Sequence, residues 1–245
     1  MDLSRIRVNP KIAAESGGAA PSGRRYGGVD KDERQRARRD KLIQAGLAVF
    51  GEKGFHAATV RNVCQRAELT SRYFYESFES MEALFEGVYV HVSADLMRRC
   101  VAALQSSPML PDKLAEAALR AFLAFIQEDP HRARVALIDA LTVGAWASRI
   151  SNESSKDFAR LIASFIEMLY PTLATQTGLS PIWVAHGLVG ANIRMATVWV
   201  EEKCETPLED VLRHLFAFFR ASIAFAEMSL KEAQTAKEQP GTAPP

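Results

Sequence analysis

Residues 59–78, TVRNVCQRAELTSRYFYESF, carry two short apolar repeats with only a few residues between them. Val60, Val63, Cys64 and Ala67 recur at i, i+3, i+4 and i+7, which puts them on one face of a short helix with Thr59 at its N-cap. A second helix starts almost at once. The Thr70 hydroxyl is expected to cap it by accepting an orphan N–H, and Phe74 and Phe78, at i and i+4, form its inner face. Ser71, Arg72, Tyr73 and Glu76 are left facing outward.

Two short helices joined by so tight a turn form a helix-turn-helix, whose second helix can enter a DNA major groove. Arg72 is the expected reader, because its fork of donors fits guanine O6 and N7 together, while Ser71 and Tyr73 reach base edges, a thymine methyl or phosphate. Plain packing of a helix pair in an all-α protein produces the same pattern and is the competing reading.

The wider stretch from Arg39 to Phe85 resembles the TetR family of bacterial transcriptional regulators. The resemblance is carried, without a gap, by Leu42, Ala45, Phe50, Gly54, Phe55, Thr59, Val63, Ala67, Leu69, Thr70, Tyr75, Phe78, Ser80 and Leu84. It implies a three-helix DNA-binding head on an all-helical, dimerising and ligand-sensing body, with Thr59, Tyr75 and the helix start at Ser80 touching phosphates. The sequence departs from the family pattern at three points. Glu68 stands where the family often has Gly, and a left-handed backbone there costs a non-glycine residue roughly 1–2 kcal/mol. Met81 stands where a phosphate-binding Lys is usual, and Cys64 replaces an Ala.

Charge is divided along the chain. Residues 1–80 hold 15 Lys and Arg against 10 Asp and Glu, a net +5, and the remainder carries −4. A basic end on a mildly acidic body suits approach to nucleic acid from one side. The recognition stretch itself is acidic, since Arg72 is outnumbered by Glu68, Glu76 and Glu79. Positive charge is therefore expected from the adjoining segment VDKDERQRARRDK, whose Arg34, Arg36 and Arg38 are read as phosphate or minor-groove contacts.

Other chemistry leaves no local trace. The chain has no HExxH, GxSxG, GxxxxGK[ST] or GxGxxG pattern, and His56, His91, His131, His186 and His214 are scattered. No metal, cofactor or catalytic residue is expected, and the chain is not read as an enzyme. Cys64, Cys100 and Cys204 are an odd, widely spaced set in helical patterns and read as reduced packing residues, a redox role for Cys100 or Cys204 being the alternative. No apolar run follows a basic start, so a cytoplasmic protein is expected. The apolar stretch 182–200 contains His186, Asn192 and Arg194, which favours burial in protein over lipid.

The expected architecture is all-α: a tail over residues 1–29, a DNA-binding domain over 30–79, a helical ligand-binding and dimerisation domain over 80–230, and a loose end over 231–245. A long helix from Ser80 toward Leu104 joins head and body. The polar run 151–156 reads as a connection between helices. Helices near 181–203 and 207–230 are apolar around most of their circumference, and Gly187, Gly190 and Ala191 with Leu212, Phe216 and Phe219 are expected to face a second copy. Phe122, Phe125, Trp146, Phe165, Met168, Met195 and Trp199 are expected to line a pocket for a small apolar or aromatic ligand, with Asn192, Arg194, His91 or Asp139 as its polar handle. The function that follows is a ligand-responsive repressor binding a palindromic operator as a homodimer. A DNA-binding protein that organises chromosomes or recruits a partner, with no small ligand, is the alternative.

Overall fold

The computed structural model describes residues 29–238. Residues 1–28 of the tail expected over 1–29, and the last seven residues of the chain, lie outside that range. All regular structure among the described residues is helical, in agreement with the sequence reading. The helices are α1 Val29–Lys53, α2 Val60–Ala67, α3 Ser71–Ser77, α4 Met81–Gln105 and α5 Pro111–Glu128. There follow α6 Pro130–Ala133, a π-helical stretch Arg134–Asp139, α7 Ala140–Thr142, α8 Ala145–Leu169, α9 Leu173–Thr177, α10 Pro181–Glu201 and α11 Leu208–Glu238.

They pack as two compact units, one of residues 29–99 with Ala124–Ser154 and the other of Cys100–Leu123 with residues 155–238. In the first unit, Leu42, Phe50, Val63, Phe74, Leu84 and Phe85 are fully buried in a single core. Each such side chain contributes about 1.5–3 kcal/mol by leaving water. Phe55 follows α1 and packs its ring 5.4 Å from Phe85 and 5.3 Å from Trp146.

The turn after α2 adopts the conformation that Glu68 makes costly. Glu68 has φ 56° and ψ 40°, the left-handed region, and its N–H points back to Cys64 and Gln65 carbonyls. Leu69 N–H also bonds the Cys64 carbonyl at 3.0 Å. Satisfied helix-end carbonyls offset the strain, so the tight turn survives without glycine.

Two glycines let α1 meet the α6 region closely. A Cβ on Gly51 would stand 2.3 Å from His131 Cβ and 2.6 Å from its Cα, and one on Gly54, where φ is +78°, would stand 2.4 Å from the Arg134 guanidinium. The π-helical stretch begins at Arg134, and Asp139 at its end is 5% exposed. A π turn carries one more residue than an α turn and so re-aims the side chains that follow it. No periodicity in this apolar segment distinguishes it from an α-helix.

The second unit is bound by small residues where α8 meets α10, with Ala159, Ala163, Ala185 and Val189 buried together. Here α8 differs from expectation, because it runs unbroken through residues 151–156. That run contains neither Gly nor Pro, and Ser151 and Ser154 are buried in the helix rather than exposed in a loop. Helix α11 extends to Glu238, beyond the expected end near residue 230. Between α10 and α11, Lys203 and Cys204 both take positive φ, and Trp199 donates its indole N–H to the Thr206 carbonyl at 2.8 Å. Arg120 pairs with Glu209, and Tyr170 donates to Glu227 at 2.9 Å.

Candidate nucleic-acid interface

The helix pair has the geometry its spacing predicts. Val63, Cys64 and Ala67 of α2 and Phe74 of α3 are buried, as is Phe78 just beyond α3. This inner face fixes α3 against the core and leaves Ser71, Arg72 and Tyr75 exposed, Tyr75 by 62%. Tyr73 is half-buried.

Capping is divided differently from expectation. Thr59 accepts the Asn62 N–H at 3.2 Å, as an N-cap should. Thr70 occupies the N-cap of α3 with an extended backbone, but its hydroxyl makes no capping bond. The expected Thr70 cap is therefore corrected: Tyr73 and Phe74 N–H groups bond the Thr70 carbonyl, at 3.0 and 3.3 Å, and the exposed side chain is left for other partners. Ser80 caps α4 by accepting the Ala83 N–H at 3.2 Å, and Met81 packs on the core.

An ion cluster covers the outward face of α3. Arg72 Nε lies 2.9 Å from Glu76 Oε1, and Arg38 Nη1 of α1 lies 3.7 Å from Glu76 Oε2. The Arg38 guanidinium also stacks 4.1 Å from the centre of the Tyr73 ring, within cation–π range. Thus Arg38, which the sequence placed in a basic segment, joins α3 itself. Arg34 and Arg36 lie exposed on the same helix α1. The Arg72–Glu76 spacing was legible as an i, i+4 pair, whereas the Arg38 contact joins separate helices and leaves no local pattern.

The expected ligand-pocket residues are divided between the units, and neither unit holds them all. Phe125 is buried in the core of the head-containing unit beneath the guanidinium groups of Arg99 and Arg132, and Trp146 packs on Phe55 and Phe85 there. Phe122, Phe165, Met168, Met195 and Trp199 belong to the second unit, where Phe165 and Trp199 are buried and Met168 is 44% exposed. Of the expected polar handles, Asp139 is engaged with the Phe55 N–H and Arg134, and His91 lies 3.1 Å from the Gln44 amide nitrogen. Arg194 is exposed, while the Asn192 amide oxygen is shielded from solvent with no hydrogen-bond partner.

Among the expected interface residues, Leu212 is buried in its own chain, Ala191, Phe216 and Phe219 are half-buried, and Gly187 and Gly190 face open space. The named interface set leaves out Trp183, Phe218, Phe225 and Met228, which are 76%, 50%, 52% and 49% exposed on the same two helices. Trp183, Gly187 and Gly190 follow i, i+4, i+7 on α10, and Phe218, Phe225 and Met228 follow i, i+7, i+10 on α11. That spacing marks one stripe on each helix.

Burial also raises the pKa of all three thiols, Cys100 to about 12. Raised thiol pKa values fit side chains that pack rather than react. No helix among the described residues is long and apolar enough to cross a membrane.

The fold is a helix-turn-helix whose second helix carries an exposed polar face, within an all-helical chain. Residues 42–88 match the family model of bacterial regulatory proteins, tetR family. The fold is shared with the fatty acid degradation regulator FadR from Bacillus halodurans, at a TM-score of 0.64 and 15% identity over 74% of this chain and 94% of that one. It is similar to the transcriptional regulator FadR from Bacillus subtilis, solved in complex with stearoyl-CoA, at 0.65 and 14% over 74% and 96%. A TetR-like transcriptional regulator from Rhodococcus sp. RHA1 gives 0.58 and 21% over 76% and 96%. Residues 42–88 are thus similar to the DNA-binding region of tetR-family regulators, and the chain shares its helical fold with solved transcriptional regulators.

Proposed function

We propose that this protein is a ligand-responsive repressor that binds a roughly palindromic operator as a homodimer. The observation that carries the reading is the outward face of α3, where exposed Ser71, Arg72 and Tyr75 project from a helix anchored by buried Phe74 and Phe78. Arg72 reads a base edge, and Thr59, Thr70, Tyr75 and Ser80 contact phosphates or sugar with help from Arg34, Arg36 and Arg38. The apolar stripes on α10 and α11 support a second copy as their occupant, since symmetric pairing of such stripes removes them from water.

The ligand is an apolar molecule with one polar handle, held in the second unit among Phe122, Phe165, Met195 and Trp199. Support comes from the solvent-shielded, unpartnered Asn192 oxygen in that unit, a costly state that a guest's donor would relieve. The stearoyl-CoA complex of a protein with this fold makes a long-chain acyl thioester the first compound to try. Such a ligand releases DNA only if it prefers the DNA-incompetent arrangement.

Selection from a randomised duplex pool with the full chain tests the reading. Enrichment of a two-fold symmetric sequence, and its release by stearoyl-CoA or another apolar ligand, is expected. Dispersed binding without a consensus would replace it by the chromosome-organising alternative.

A further inference from the structure

We propose that Glu76 is a positioning residue for base reading, holding Arg72 through Nε so that the terminal fork of its guanidinium faces a guanine edge. The inference rests on the DNA-reading function above and assigns a specificity role to an acidic residue on the DNA-facing surface. One carboxylate oxygen of Glu76 lies 2.9 Å from Arg72 Nε, and the other lies 3.7 Å from Arg38 Nη1. Arg38 is itself held against the Tyr73 ring. Glu76 therefore joins the reader on α3 to a cation on α1.

The Arg72 side chain is 84% exposed, so its pairing adds little to folding stability. A carboxylate facing DNA repels phosphate and weakens binding to every sequence alike. What remains is selectivity: with Nε occupied, Nη1 and Nη2 stay available for an end-on bidentate contact to O6 and N7, and fewer arginine rotamers compete with it. The Tyr73 ring stacks under Arg38 beside the same cluster.

The test uses the full chain, the randomised duplex pool, and anisotropy on the selected duplex against a scrambled one. Glu76→Ala should lose roughly tenfold of the guanine preference at one position per half-site, the order expected for one hydrogen bond between charged groups. Its affinity for the scrambled duplex should rise, and its salt dependence should steepen. Glu76→Gln, which keeps an oxygen acceptor for Nε, should retain more of the preference than Glu76→Ala. A purely structural residue would not move preference and non-specific affinity in opposite directions. Unchanged guanine preference in Glu76→Ala, or an equal loss on both duplexes, would overturn the proposal while leaving DNA reading intact. If the wild type enriches no sequence, DNA reading itself fails, and the role of Glu76 with it.

Discussion

The carboxylate of Asp139 accepts the backbone N–H of Phe55 at 3.1 Å, joining residues 84 positions apart. Its other oxygen lies 3.6 Å from Arg134 Nε, beside Gly54. The turn that follows α1 is thus fastened to the end of the π-helical stretch. Burial pushes the Asp139 carboxyl above its ordinary range, against the opposing influence of Arg134, the Phe55 N–H and His56. A raised folded pKa means that the folded protein holds the proton more tightly than the unfolded chain. This group's contribution is therefore complete below the unfolded carboxylate value and is lost as pH rises through the folded one. Asp139→Asn, which keeps an acceptor for Phe55, should remove that pH dependence in denaturant titrations. Asp139→Ala should cost about 1–3 kcal/mol by leaving the N–H without its acceptor.

Gly51 makes a sharper steric prediction. A methyl group there meets His131 at its Cα as well as its Cβ, so backbone has to shift. Gly51→Ala should lose about 1–3 kcal/mol in urea unfolding, despite gaining helix propensity. A gain would show that α1 and the α6 region separate readily.

Glu68 separates backbone strain from side-chain loss. Glu68→Gly should raise stability by about 1 kcal/mol, because the left-handed turn is then free of Cβ strain, whereas Glu68→Ala keeps that strain and should show no such gain. Equal thermal shifts in the two variants would assign the effect to charge instead.

On DNA, Arg72→Ala should cost about 1–3 kcal/mol on the selected duplex and relax preference at one position per half-site. Tyr75→Phe should weaken selected and scrambled duplexes by the same factor, since a phosphate contact carries no base information. A changed consensus for Tyr75→Phe would make Tyr75 a reader.

If the stripes on α10 and α11 pair with a second copy, as proposed, charge placed on them should separate the copies. Phe218→Glu combined with Phe225→Glu should give a folded monomer in sedimentation, and Gly187→Glu, placed where nothing lies within 4 Å, should do the same. Leu212→Glu, at a site buried within its own chain, should unfold the unit rather than dissociate the copies. Dimers that persist in the first two variants would move the interface elsewhere.

The helix pair was legible in the chain because its determinants are local. Spacing of Val63, Cys64, Ala67, Phe74 and Phe78 sets which face is buried, and the outward side of α3 follows from the same period. The long helix from Ser80 and the apolar α10 and α11 were readable for the same reason. What only the tertiary structure decided was every relationship between residues far apart in sequence. Asp139 looked like a polar handle for a ligand and is tied to Phe55; Phe125 and Trp146 looked like pocket lining, yet Phe125 is buried in the core of the first unit and Trp146 packs against it; Arg38 looked like one of a run of basic contacts and stacks on Tyr73 of α3. Residues 151–156 looked like a loop because they are polar, yet buried Ser151 and Ser154 carry a continuous helix. Periodicity reports which side of an element avoids water, but the identity of the neighbour on that side depends on how separate helices close against one another.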